Sequence, residues 1–128
     1  MTAQYEKDAW LTLPDVAERL GTDVASVRRM VQDRQLLALR REDGIRRVPE
    51  RFLVETDGRW QPVPALPGTL VLLADAGYSD EEAVGWLFEQ DPTLAPVGWP
   101  ADHVPAPIDL LAAGQKTEVR RRAQALGF

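Results

Sequence analysis

The sequence predicts a mainly α-helical protein with one small β-hairpin in its first half. Two observations lead to this fold class. Apolar residues recur at helical spacing in several segments, most of which follow a capping residue and end at a glycine. Residues 37–49 instead read LALRREDGIRRVP, and an Asp-Gly pair between two short arms is the strongest short-range hairpin signal. At 128 residues, the chain is long enough to bury a core of its own.

The first predicted helix covers residues 13–20. Thr12 followed three residues later by Asp15 is a variant of the capping box, and Pro14 lies in the first turn, where its missing N–H is not needed. Gly21 ends the helix, because glycine adopts a positive φ at low cost.

The second predicted helix covers residues 24–33 and begins after Asp23, which is well placed as its N-cap. Its apolar stripe is formed by Val24, Val27, Met30 and Val31. The polar side chains that this stripe leaves on the outside are Ser26, Arg28, Arg29 and Gln32. The helix is therefore predicted to be amphipathic with a basic outer face.

The predicted hairpin pairs residues 36–39 with residues 45–48 around the Asp-Gly turn. Pro49 then begins the segment PERFLVET, which we predict as a short helix whose apolar residues close a small core. Helix, turn, helix, hairpin and helix in this order predict a winged helix-turn-helix domain, with the hairpin as its wing.

The second half is predicted to be all-helical. Three prolines and two glycines in DGRWQPVPALPG, residues 57–68, indicate a linker or an ordered crossover. The helical segments that follow are LVLLADAG, EEAVGWLFEQ after a capping box of Ser79 and Glu82, PIDLLAAG, and a last helix from Lys116 or Thr117. The predicted divisions are a flexible tail at 1–9, the winged domain at 10–58, a linker at 59–68 and a helical C-terminal domain at 69–128.

Charge is distributed unevenly along the chain. Residues 24–51 contain eight arginines and four acidic residues, a net charge of +4, although the whole chain carries −5. The remaining residues therefore carry −9. A local basic stripe in an acidic protein is typical of phosphate contact.

These features predict a DNA-binding protein, most simply a transcriptional regulator. The second helix of a helix-turn-helix lies in the major groove, where arginine binds guanine and glutamine binds adenine. The wing would follow the flanking phosphates or the minor groove. Since neighbouring strand residues face opposite sides, at least one arginine of each wing pair should meet DNA, while the other covers a solvent face or pairs with Glu42 or Asp43. The predicted DNA-contacting residues are Ser26, Arg28, Arg29, Gln32, Arg40, Arg41, Arg46 and Arg47. A merely solvated helix face is the alternative for the first four.

The sequence argues against several other classes. It has no cysteine and a single histidine, His103, so thiolate metal sites and disulfides are excluded, and we expect no metal or cofactor. It lacks a phosphate-binding glycine loop, a nucleophile elbow and a metal-spaced set of ligands, so we expect no catalytic site. The N-terminus is charged and no segment approaches the roughly 20 apolar residues of a membrane span. We therefore expect a cytoplasmic, nucleoid-associated protein.

The run LTLPDVAERLGTDVASVRRMVQDRQLLALRREDGIRRVP resembles the small winged helix-turn-helix of the MerR and excisionase type. With GYSDEEAVGWLFEQDPTL and EVRRRAQALGF, residues 10–128 are similar to an actinobacterial, chiefly mycobacterial, family of DNA-binding proteins. This resemblance implies a monomeric DNA binder with a helical C-terminal domain. It also implies a link to serine/threonine kinases through a threonine in the N-terminal tail. Here that candidate is Thr2, because Thr12 is explained as a helix cap.

A second resemblance concerns the C-terminal half. WL, P-DLL--G and the final basic helix resemble the C-terminal domain of certain antitoxins, which implies a protein-interaction module with the winged domain as a docking unit. The alternative is that the apolar residues of these motifs are core residues. They are Trp86, Leu87, Leu110 and Leu111.

Overall fold

The computed structural model describes residues 9–127. The strands are β1 (Trp10–Thr12), β2 (Leu39–Arg40), β3 (Arg46–Pro49), β4 (Leu53–Thr56) and β5 (Arg59–Pro62). The helices are α1 (Leu13–Leu20), α2 (Val24–Gln32), α3 (Leu66–Asp75), α4 (Asp80–Phe88), α5 (Pro107–Ala112) and α6 (Thr117–Ala125). The predicted class, a winged helix followed by a helical C-terminal region, is confirmed. The predicted tail, apart from residue 9, and the candidate Thr2 lie outside the described residues.

The two helices of the helix-turn-helix begin and end as their caps predict. The hydroxyl of Thr12 accepts a hydrogen bond from the backbone N–H of Asp15 at 3.3 Å, and the carboxylate of Asp23 accepts one from the N–H of Ser26 at 2.7 Å. Gly21 has a φ of 72°, the left-handed conformation that ends α1. Local side-chain chemistry therefore fixes where both helices begin.

The wing belongs to a three-stranded antiparallel sheet in the order β1-β3-β2. The hairpin was predicted, but its first strand is shorter than expected. Residues 36–38, which were predicted to belong to it, are buried and come before β2. Strand β1 was not predicted. It pairs along the other edge of β3, with Leu11 opposite Val48, and joins the wing to the start of α1.

The helix predicted for PERFLVET is wrong. Residues 50–52 form a short 3₁₀ turn, and the chain then enters β4, which pairs with β5 in a second hairpin. Asp57 and Gly58 have φ values of 54° and 77°, the geometry of a two-residue hairpin turn. The segment predicted as a linker, 59–68, therefore contains a strand and the first turn of α3.

The helices predicted for the second half are present, although α3 begins at Leu66 instead of Leu70 and α4 ends at Phe88 instead of Gln90. The capping box before α4 is present, with the N–H of Glu82 donating to Ser79 Oγ at 3.1 Å and the N–H of Ser79 donating to Glu82 Oε1 at 2.9 Å. Val119 and Ala123 are buried on one face of α6, as predicted. Trp86 is half-buried, and the three leucines of the antitoxin-like motifs are buried, as expected of core residues.

Buried apolar residues from both halves form one continuous cluster. Phe52 meets Phe88 edge to face at a centroid distance of 5.7 Å. Ion pairs tie the halves together as well, and Arg51 contacts Asp109 at 2.5 Å. The division into domains at residues 58 and 68 stays a prediction. The buried core extends across both positions. Among the described residues, no helix has both the length and the apolar character needed to cross a membrane.

Candidate nucleic-acid interface

Helix α2 presents a polar face to solvent. Arg28, Arg29 and Gln32 are exposed, whereas Val27 is completely buried against the core. Ser26 is half-buried and lies in the first turn, where its backbone N–H is held by the N-cap carboxylate. Three of the four residues predicted on this helix are thus free to reach a ligand, and Ser26 is the most restricted.

The acidic group at the start of α2 is already engaged. Hydrogen bonds from the backbone and side chain of Ser26 hold the pKa of Asp23 below its ordinary value, and the nearby charge of Arg29 lowers it further. In the described part of the chain, neither Arg28 nor Arg29 forms an ion pair. Their guanidinium groups are therefore available for an external anion.

The strand register divides the four wing arginines into two faces. Arg40 lies directly opposite Arg46, and Leu39 lies directly opposite Arg47. Arg40 and Arg46 therefore point to the same side of the wing, and both are exposed. Like charges directly opposite each other destabilise a strand pair, so this face is suited to an external polyanion. One guanidinium nitrogen of Arg40 also donates to the carbonyl oxygen of Gly44 at 2.6 Å.

Arg41 and Arg47 are engaged within the protein. Arg47 binds both carboxylate oxygens of Asp43, at 3.0 and 2.8 Å, which is the predicted pairing at the hairpin tip. These hydrogen bonds hold the pKa of Asp43 below its ordinary value. Arg41 stacks over the ring of Trp10, 4.1 Å from its centroid. In each pair, therefore, one arginine (Arg41 or Arg47) is held by another side chain of the protein, and its neighbour (Arg40 or Arg46) is exposed.

Several residues that position this surface were not predicted. Trp10, from β1, supports Arg41 under the wing. Arg34, just after α2, has a φ of 58° and contacts Asp80 at 3.1 Å, which ties the end of α2 to the start of α4. Arg19 of α1 contacts Glu50 at 3.2 Å. These contacts are hard to recognise in the sequence, because each one joins residues that are far apart in the chain.

Comparison with known proteins agrees with this geometry. Residues 5–53 match the family described as "DNA-binding protein Rv2175c, wHTH domain", and residues 63–127 match "Rv2175c C-terminal domain of unknown function". DNA-binding protein Rv2175c of Mycobacterium tuberculosis is 40% identical over 119 residues, which are 91% of this chain and 79% of that protein. The NMR structure of Rv2175c superposes with a TM-score of 0.78 at 37% identity, covering 95% of this chain and 83% of that one. This chain is therefore a member of the Rv2175c family of winged helix-turn-helix DNA-binding proteins.

Proposed function

We propose that this protein is a transcriptional regulator that binds preferred DNA sequences with α2 in the major groove and the wing on the flanking backbone or minor groove. One observation carries the proposal. Within residues 9–127, the basic side chains on the outer face of α2 (Arg28, Arg29) and on one face of the wing (Arg40, Arg46) have no acidic partner, in a chain whose net charge is −5. In an acidic protein, such a local basic surface is suited to a polyanion, because it concentrates attraction at one place.

Helix α2 supplies side chains suited to base readout. Arg28 and Gln32 are one helical turn apart and therefore lie on the same side of α2. A guanidinium group matches the two acceptors of guanine, and a carboxamide matches the donor and acceptor of adenine. We assign sequence preference to α2 for this reason. We assign to Ser26, in the first turn of α2, a contact with the DNA backbone or with a base.

The wing supplies attraction that does not depend on sequence. We assign phosphate contact to Arg40 and Arg46, whose side chains share one exposed face. Arg41 and Arg47 would support this face from behind through their contacts with Trp10 and Asp43. Monomeric binding and a link to a serine/threonine kinase through Thr2 stay predictions.

Selection from random DNA followed by salt titration tests the proposal on the full chain. We expect enrichment of a defined motif, and an association constant that falls steeply with salt, by about 0.9 logarithmic unit per phosphate contact. An asymmetric motif would agree with a monomer, and a palindrome would indicate two copies. No enrichment together with a flat salt dependence would overturn the proposal.

The two faces of the wing give a matched pair of variants. Arg46→Ala should weaken binding to all sequences about equally and reduce the salt slope by about one unit, because it removes one phosphate contact. Arg47→Ala removes the same charge from the opposite face and should change the salt slope much less. Fluorescence anisotropy at several salt concentrations measures both. A larger effect of Arg47→Ala than of Arg46→Ala would show that the DNA-facing side is assigned wrongly.

A further inference from the structure

Helix α3 is apolar on both its inner and its outer side. Its inner face, which includes Leu66, Leu70 and Leu73, is completely buried in the core. The outer side carries Val71, which is 48% exposed, the half-buried Leu72, and the exposed Gly68 and Asp75. Asp75, at the last position, is the one charged residue of α3, whereas surface helices normally have a polar outer face along their whole length. The outer face of α3 is therefore unusual for a surface that meets only water.

This outer face borders a groove that continues to the start of α6. Two cavities of about 310 and 460 Å³ share Pro64, Ala65 and Lys116 in their linings. The larger one is also lined by Val71 and Leu72 of α3 and by Arg120 of α6. We call these joined cavities the α3–α6 groove. Its lining combines apolar side chains, Val71 and Leu72, with two cations, Lys116 and Arg120. We call the first pair its apolar floor and the second pair its basic edge.

The basic edge differs from the other cations of α6. Arg121 and Arg122 both bind Glu118, at 2.6 and 2.9 Å. Lys116 and Arg120, by contrast, form no ion pair within residues 9–127, although residues 63–127 contain nine acidic and only four basic residues. They are four residues apart and line the same groove, so their charges repel each other in the free protein. An anionic group bound there would remove this repulsion.

We propose that the α3–α6 groove binds an acidic amphipathic segment of a partner protein. Apolar side chains of the segment would lie on Val71 and Leu72, and its carboxylates would meet Lys116 and Arg120. Charge complementarity identifies this occupant, because the groove is basic in an otherwise acidic region. DNA is a poorer fit, since phosphates gain nothing from an apolar floor. The groove shares no residue with α2 or the wing, so this inference does not rest on the proposed DNA contacts.

The probes are labelled 16-residue peptides with leucines at positions i, i+3, i+4 and i+7 and glutamates elsewhere, in several registers. Matched peptides carry lysine in place of every glutamate. Fluorescence anisotropy measures their binding to the full chain, to the double variant Lys116→Gln/Arg120→Gln and to the control Ala95→Glu/Ala101→Glu. The control makes the same change in net charge at two exposed loop residues that line neither cavity. Circular dichroism checks that every variant is folded.

We expect the acidic peptides to bind and the lysine peptides not to bind. Lys116→Gln/Arg120→Gln should weaken binding by about tenfold, and the control by less than about twofold. Val71→Ser should also weaken it, because the apolar floor is lost. The proposal is overturned if no acidic peptide binds, if both peptide types bind alike, or if the groove variants bind peptide normally. Reduced DNA affinity of Lys116→Gln/Arg120→Gln with unchanged peptide binding would instead assign the two cations to phosphate. Self-association that disappears in Val71→Ser without peptide binding would assign the groove to a second copy of the chain.

Discussion

Replacing Phe52 with alanine is expected to lower the free energy of unfolding by about 3–5 kcal/mol. Phe52 is completely buried, and its ring meets Phe88 at an interplanar angle of 87°. One ring follows the wing and the other ends α4, so alanine would open a cavity between the winged half and the helical half. Urea unfolding followed by circular dichroism measures the change.

Val97→Ala is the control for this measurement. Val97 is fully exposed in the loop between α4 and α5, and its truncation should change stability by less than about 0.5 kcal/mol. A loss below about 1 kcal/mol for Phe52→Ala would mean that the two halves are stabilised independently. Unfolding in two separate transitions would lead to the same conclusion.

The shared core has a consequence for work with fragments. A fragment of residues 1–58 contains every residue assigned to DNA contact, but it lacks β5 and Phe88. It would expose β4 and the apolar surface of Phe52 to water. Weak DNA binding by such a fragment would therefore reflect partial unfolding, so DNA binding has to be measured on the full chain.

Helix boundaries were the most predictable part of the fold. Thr12, Asp23 and Ser79 each accept a hydrogen bond from a backbone N–H three residues further along the chain. Because these contacts are local, their partners stand close together in the sequence and can be recognised there. The positive φ of Gly21 is local in the same sense. The start and end of α1 and the start of α2 and α4 follow from such signals.

Strands were less predictable, because their partners lie elsewhere in the chain. β1 has only three residues, and it is a strand because it pairs with the edge of β3 that β2 does not occupy. The second hairpin did have a local signal in Asp57-Gly58, flanked by LVET and RWQP. The prolines that follow favoured a linker instead. Pro62 nevertheless lies in β5, which is an edge strand of a two-stranded sheet and therefore tolerates proline.

The composition of the candidate interface could be predicted, but the roles of individual wing arginines could not. Strand alternation predicted that the two arginines of a pair face opposite sides and that at least one of each pair meets DNA. Which residue remains available depends on Trp10 in β1, on Asp43 at the tip and on the pairing of Arg40 with Arg46. The first of these contacts comes from an unpredicted strand. The second was one of two acidic partners that the sequence offered.

Loss of an arginine from α2 is expected to reduce the ability of the protein to distinguish its preferred site from random DNA. Replacing Arg28 or Arg29 with alanine should cost about 1–3 kcal/mol for the preferred site and narrow the gap between that site and random DNA. The physical reason is that a guanidinium group bound to guanine contributes only when the matching base is present. Anisotropy titrations with the selected site and with a scrambled duplex, at one salt concentration, give both affinities.

Arg46→Ala and Arg121→Ala are the matched controls, since each also removes one positive charge. Arg46→Ala should weaken both duplexes about equally, because phosphate contact carries no sequence information. Arg121 belongs to α6 and is paired with Glu118, so its removal should leave the ratio of the two affinities unchanged. If Arg28→Ala and Arg29→Ala weaken both duplexes equally, α2 contacts only the DNA backbone. If neither variant changes either affinity while the fold is intact, α2 is not the recognition helix of this protein.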